Sequence, residues 1–94
     1  MKALVWANSF KRAFKKTVRR QPELTDRIEQ TLRRLADDPF DPALRTHKLK
    51  GQLSGAWACT VEYDCRIVFD FMQNTQSDEE EIVLIDIGTH DEVY

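Results

Sequence analysis

Apolar residues recur with two different periods along the chain, and the period changes near the middle. Leu4 and Trp6 alternate around Val5, which predicts a short first strand over residues 2–6. Phe10, Phe14 and Val18 follow at i, i+4 and i+8. That is the stripe of an amphipathic helix running to about Arg20, with Asn8 or Ser9 offered as its N-cap. Pro22 suits a first helical turn, where its missing N–H would go unpaired in any case. Leu24, Ile28, Leu32 and Leu35 mark a second helix, with Arg33 and Arg34 near its C-terminal end, where the macrodipole favours cations. The run Asp37-Asp38-Pro39-Phe40-Asp41-Pro42 stops that helix, because two closely spaced prolines cannot be carried inside one.

Residues 43–54 read as a loop or lead-in. From Gly55 the period becomes two: Trp57, Cys59, Val61 and Tyr63 alternate with Ala56, Ala58, Thr60 and Glu62. A turn near Tyr63-Asp64 leads into a strand from Arg66 to Met72. The polar stretch Gln73 to Glu81 reads as a loop, Ile82 to Ile87 as a buried strand, and Gly88 to Tyr94 ends the chain. The order β-α-α-β-β-β predicts an α+β fold, with two N-terminal helices packed on a small antiparallel sheet. The 94 residues make a single domain, 1–94.

Composition narrows the class. With 41% hydrophobic and 32% charged residues the chain is not disordered. No apolar run approaches the roughly 18–20 residues of a membrane span. The apolar block at the N-terminus is too short for a signal peptide, so a cytoplasmic protein is expected. Cys59 and Cys65 are then expected as reduced thiols acting as small buried hydrophobes. A domain this small leaves little room for a deep cavity, so any site is expected in a shallow surface groove.

The net charge of −2 hides a strong asymmetry. Residues 1–50 hold 13 Lys/Arg and 6 Asp/Glu, whereas residues 51–94 hold 1 and 10. The cations form two groups: Lys11, Arg12, Lys15, Lys16, Arg19 and Arg20, then Arg45, His47, Lys48 and Lys50. A basic groove for RNA phosphates is one reading. A solvated helix face balancing an acidic sheet is the plain alternative.

Several familiar chemical devices are absent. There is no Gly-rich phosphate loop and no Cys or His spacing for zinc, so neither a metal nor a cofactor is expected. What remains is a set of polar residues at strand ends: His47, Lys48 and Lys50 before the hairpin, Asp64 and Arg66 at its far end, His90 and Tyr94 after the last strand. RNA cleavage by its own 2′-OH needs a base for that hydroxyl, cations on the phosphate and an acid for the leaving 5′-oxygen. Side chains of these types can supply all three without a metal. Each residue also has an ordinary alternative. Arg66 could pair with Glu62 or Asp70, Asp64 could be a turn residue, and Tyr94 could dock the C-terminus.

Four segments carry a resemblance: His47-Lys48-Leu49-Lys50-Gly51, Gly55-Ala56-Trp57, Tyr63-Asp64-Cys65-Arg66-Ile67-Val68-Phe69, and Ile87-Gly88-Thr89-His90-Asp91-Glu92-Val93-Tyr94. In order and spacing the chain resembles the RelE/ParE superfamily of bacterial type II toxins, and within it the YafQ-like RelE/StbE branch. The resemblance spans nearly the whole chain. It implies a metal-independent mRNA endonuclease acting in the ribosomal A site, neutralised by a cognate antitoxin. It also implies contact with operator DNA only through that antitoxin, and no membrane partner. By position, His47 and His90 match catalytic histidines, Asp64 an acidic residue and Tyr94 an aromatic one near the scissile nucleotide. Arg66 matches a strand arginine that stabilises phosphate and Lys50 another basic position of the pattern, and Lys48 beside it is expected to help hold phosphate.

Two positions depart from the pattern. A second-strand histidine and the acid two residues before it are replaced by Thr60 and Ala58. Two competing expectations stand beside the nuclease, and the departures bear on the second. One is a ParE-like, non-enzymatic gyrase inhibitor, which would need neither histidine. The other is a catalytically weakened toxin acting mainly as an antitoxin-binding corepressor.

Overall fold

A computed structural model describes residues 1–51, 55–76 and 79–93. The chain forms β1 (Leu4–Trp6), α1 (Asn8–Arg20), α2 (Thr25–Asp37), β2 (His47–Lys48), β3 (Trp57–Glu62), β4 (Cys65–Asn74), β5 (Glu79–Gly88) and α3 (His90–Val93). Short 3-10 turns at Pro22–Leu24 and Pro42–Leu44 lead out of the two long helices, each begun by its proline. The strands make one sheet in the order β1-β5-β4-β3-β2.

The α+β architecture and the two long helices are as the periodicity predicts. The sheet itself is mixed rather than wholly antiparallel. β1 lies parallel to β5, with Leu4 opposite Ile82 and Trp6 opposite Leu84, while the other neighbours run antiparallel. Three local expectations also change. The lead-in over 43–54 contains the two-residue strand β2, and its positions 52–54 lie outside the described residues. β4 and β5 pair past the apolar residues as far as Asn74 opposite Glu79, so the polar stretch is largely strand. There each added pair satisfies backbone groups even though the side chains are exposed or only half-buried. The third change is at the start of α1, where neither Asn8 nor Ser9 is the cap. Ala7 holds that position without a side-chain hydrogen bond.

Ser9 does different work. Its hydroxyl donates to the Ile85 carbonyl at 2.7 Å. The β4–β5 register passes from Phe69–Leu84 to Val68–Asp86, leaving Ile85 as an inserted residue. A bulge reverses the side-chain alternation beyond it. That is why Ile87, rather than Asp86, joins Ile82 and Leu84 in the main core. The hydroxyl from α1 satisfies a carbonyl at this break in the ladder.

The main core lies between the helices and one face of the sheet. Phe10, Ile28 and Leu35 from the helices meet Ile67, Phe69, Ile82 and Leu84, all fully buried. Trp6 closes one end, edge-on to Phe10 and Phe14 at 4.9 and 5.2 Å between ring centroids. A smaller cluster covers the opposite sheet face: Leu49, Ala56, Ala58, Val68 and Val93. Val93 fastens α3 across that second face, which carries the candidate site.

Candidate functional site

Side chains along a strand alternate between faces. With Trp57, Cys59 and Val61 turned toward the helices and Ala58 in the second cluster, Thr60 falls on the second face. The same alternation puts Arg66 beside Val68 on β4. Register then lays out two rows across that face. One runs His47, Ala58, Val68, Asp86; the next runs Thr60, Arg66, Gly88.

Asp64, Arg66 and His90 gather at one end. The Asp64 carboxylate accepts the His90 backbone N–H at 3.2 Å, joining the β3–β4 turn to the first residue of α3. The carboxylate thus holds the main chain of His90, and the turn role expected of Asp64 and its link to His90 are one contact. The Arg66 guanidinium folds back on the same turn. Its Nη1 donates to the Glu62 and Tyr63 carbonyls at 2.9 and 2.8 Å. Neither Glu62 nor Asp70 pairs with it, contrary to the simple ion-pair reading. A guanidinium has five N–H donors. Among the described residues none accepts from Arg66 Nε or Nη2.

His47 stands apart on the edge strand. Three strand spacings separate it from Asp86, roughly 14 Å. Its Nδ1 lies 3.0 Å from the Arg45 carbonyl, which can only accept, so Nδ1 carries the hydrogen. In the neutral ring Nε2 is then the basic nitrogen. Lys48, one residue on, turns to the opposite face, its Nζ 5.8 Å from the Trp57 ring centroid. Lys50 is exposed beyond β2. Tyr94 lies outside the described residues.

The two departures occupy the middle of this face. Ala58 is fully buried between His47 and Val68 in the register. Thr60 lies opposite Arg66. Both cysteines are buried, as the alternation predicts. Burial, with Cys65 nearby, pushes the Cys59 thiol from 9.0 up to about 12 against a weaker opposing hydrogen bond from the Ile67 backbone. Both thiols are buried, and Cys59 lacks the exposure and the depressed pKa of a nucleophile.

A second concavity was not anticipated. Arg27, Arg34 and Arg45 line a cleft of about 380 Å³ between α2 and the end of β3. Arg27, Gln30, Thr31 and Arg34 fall at i, i+3, i+4 and i+7, one face of a helix. That polar stripe was legible in the sequence, but its meeting with Arg45 was not.

The sequence profile of the bacterial toxin of type II toxin–antitoxin systems, YafQ, matches residues 2–94. The chain belongs to the YafQ toxin family. Its fold is shared by YafQ of Escherichia coli strain BL21(DE3), at 12% identity and TM-score 0.78, covering 100% of this chain and 99% of that one. The YoeB/ParE toxin of Agrobacterium tumefaciens superposes at 23% identity and TM-score 0.75, covering 96% and 99%. YafQ in the E. coli DinJ–YafQ complex gives 14% identity and TM-score 0.77, covering 100% and 99%. No curated protein sequence matches the chain significantly. This family member is thus a type II toxin with the α+β fold of its structural neighbours. No helix among its described residues is long and apolar enough to cross a membrane.

Proposed function

We propose that this YafQ-family toxin is a metal-independent mRNA endonuclease that cuts on the ribosome in the cytoplasm and so inhibits translation. The observation that carries the reading is the Asp64–His90 contact, with Arg66 alongside on the same sheet end. A carboxylate that fixes the main chain of His90 and a guanidinium with donors to spare lie at one end of this face, and the exposed His90 side chain starts from the same point. That set suits charge development on a phosphodiester.

In the proposed reaction His47 Nε2 takes the proton from a 2′-OH, whose oxygen attacks the adjacent phosphorus. The P–O5′ bond breaks, leaving a 2′,3′-cyclic phosphate. His90 gives its proton to the departing 5′-oxygen. Asp64 orients His90 through the backbone, and Arg66 and Lys50 neutralise the phosphate. Lys48, facing the other way, adds long-range attraction for RNA. The role proposed for Tyr94, an aromatic near the scissile nucleotide, rests on the family resemblance alone.

A cognate antitoxin is the proposed inhibitor, on the precedent that E. coli YafQ is found in complex with DinJ. Operator DNA is reached only through that antitoxin. The buried Ala58 favours a second reading, a slow enzyme kept chiefly as an antitoxin-binding corepressor.

Expression of wild type and His90→Ala without antitoxin, followed by primer extension on abundant mRNAs, separates these. In-frame cuts present in wild type and lost in the variant support the nuclease. Arrest without cuts, accompanied by inhibited DNA supercoiling, would transfer the protein to the gyrase-directed class. Absence of both favours the corepressor.

A further inference from the structure

The three-arginine cleft plays no part in the chemistry above. It is lined by the Arg27–Arg34 stripe of α2, by Thr60 to Glu62 of β3 with Tyr63 of the following turn, and by Arg45. Glu62 is the one carboxylate among its described lining residues. Arg27 is already engaged: its Nε donates to the Val61 carbonyl at 3.1 Å and lies 3.5 Å from Glu62 Oε1. Arg34 and Arg45 are exposed and make no ion pair among the described residues. Two guanidinium groups are therefore presented to the cleft with their charge uncompensated locally.

Three features connect this cleft to the candidate face. β2 pairs only with Trp57 and Ala58, so among the described residues no strand covers β3 beyond that point. Thr60 lines the cleft and also stands opposite Arg66, a cross-strand distance of about 5 Å. Arg45 adopts the left-handed conformation, φ 52°, uncommon for a residue with a side chain. Its carbonyl holds His47 Nδ1 while Arg45 itself lines the cleft. A chain lying over Arg66 and His47 would cross the sheet edge at Thr60 and arrive among the arginines.

We infer that the Arg27–Arg34–Arg45 cleft is an anion subsite for a phosphodiester of the same bound RNA, on a nucleotide flanking the scissile one. The assignment rests on the RNA-cleaving reading of the adjoining face. Guanidinium forks match phosphate oxygens bidentately, which a lysine cannot do. The small Thr60 side chain leaves the crossing open. An acidic peptide would meet the same charges, but the continuity with His47 and Arg66 points to a single RNA strand.

The test is fluorescence anisotropy of a labelled single-stranded 2′-O-methyl RNA, which cannot be cleaved, across a salt series. Wild type is compared with Arg34→Gln/Arg45→Gln and with Arg34→Lys/Arg45→Lys. Both positions are exposed, so thermal melts of the variants should overlay the wild type. Arg27 is left intact because it ties α2 to β3. The Gln pair should weaken binding about tenfold at low salt and lower the salt slope by about 0.7, the share of one single-strand phosphate contact. The Lys pair should keep the slope and recover only part of the affinity.

Unchanged affinity and slope in the Gln pair would overturn the assignment. So would wild-type protein that binds no RNA. A poly-glutamate peptide that binds wild type and is lost by the Gln pair, with RNA binding unaffected, would make the cleft a peptide site and overturn it too. RNA bound through the cleft together with no cutting of unmodified mRNA on ribosomes would leave the subsite standing and remove the nuclease reading instead.

Discussion

His90 and Asp64 are 26 positions apart, yet one carboxylate oxygen ties them through a backbone N–H. Replacing His90 with Ala should lower cleavage by about 10²–10⁴-fold, the usual worth of one general acid–base group. Asp64→Asn retains an acceptor for the same N–H and should lose far less than Asp64→Ala; comparing cleavage rates of the two separates orienting from proton transfer. The cysteines give a test independent of function. A thiol raised from 9.0 to about 12 keeps its proton in the folded chain while the unfolded chain loses it. Stability should therefore be unaffected by this group below pH 9 and fall as pH rises from 9 toward 12, by up to about 1.4 kcal/mol per unit. Cys59→Ser removes that dependence at some cost in packing, and denaturant melts at pH 8, 10 and 11 would register both. These residue types at strand ends were readable from the chain. That Arg66 serves its own turn, and that Lys48 turns away from His47, was not, since side-chain direction depends on register.

At the level of elements, the helices were legible because each carries its own period and buries one stripe. Phe10 anchors α1 with no exposure, so Phe10→Ala should destabilise the fold by about 3–5 kcal/mol in urea titrations. β2 escaped notice because two residues have no period. The bulge at Ile85 escaped because the run Ile82 to Ile87 is apolar at nearly every position and hides a change of phase. Ser9→Ala should cost about 1 kcal/mol by leaving the Ile85 carbonyl without its donor. An unchanged urea midpoint would mean that water replaces the hydroxyl. α3 is a single turn held by Val93 against Val68 and Ala58. It was read only as a chain end, because four residues have no stability apart from what they pack upon.

On the scale of the molecule, charge is separated along the sequence and partly regathered in space. The first half carries 13 of the 14 Lys/Arg. In the fold Arg27 and Arg34 of α2 come together with Arg45, while the cations of α1 remain on its exposed side. An acidic antitoxin segment is expected on α1. Reversal of Lys15, Lys16 and Arg19 to Glu should weaken antitoxin binding and flatten its salt dependence, as titration calorimetry at two ionic strengths would measure. No change in either quantity would move the antitoxin to another surface.

The sequence by itself determined the α+β class, the two amphipathic helices, the alternating strands and the inward cysteines, because each follows from the spacing of apolar residues within one short segment. It also held the family's segments in order. The parallel pairing of β1 with β5 joins residues nearly 80 positions apart, and a strand's own pattern does not name its neighbour. The same is true of the Asp64–His90 link, the face shared by His47 and Arg66, and the meeting of Arg45 with α2. Only the tertiary structure decided these, since each depends on which strand edges and helix faces the common core brings side by side.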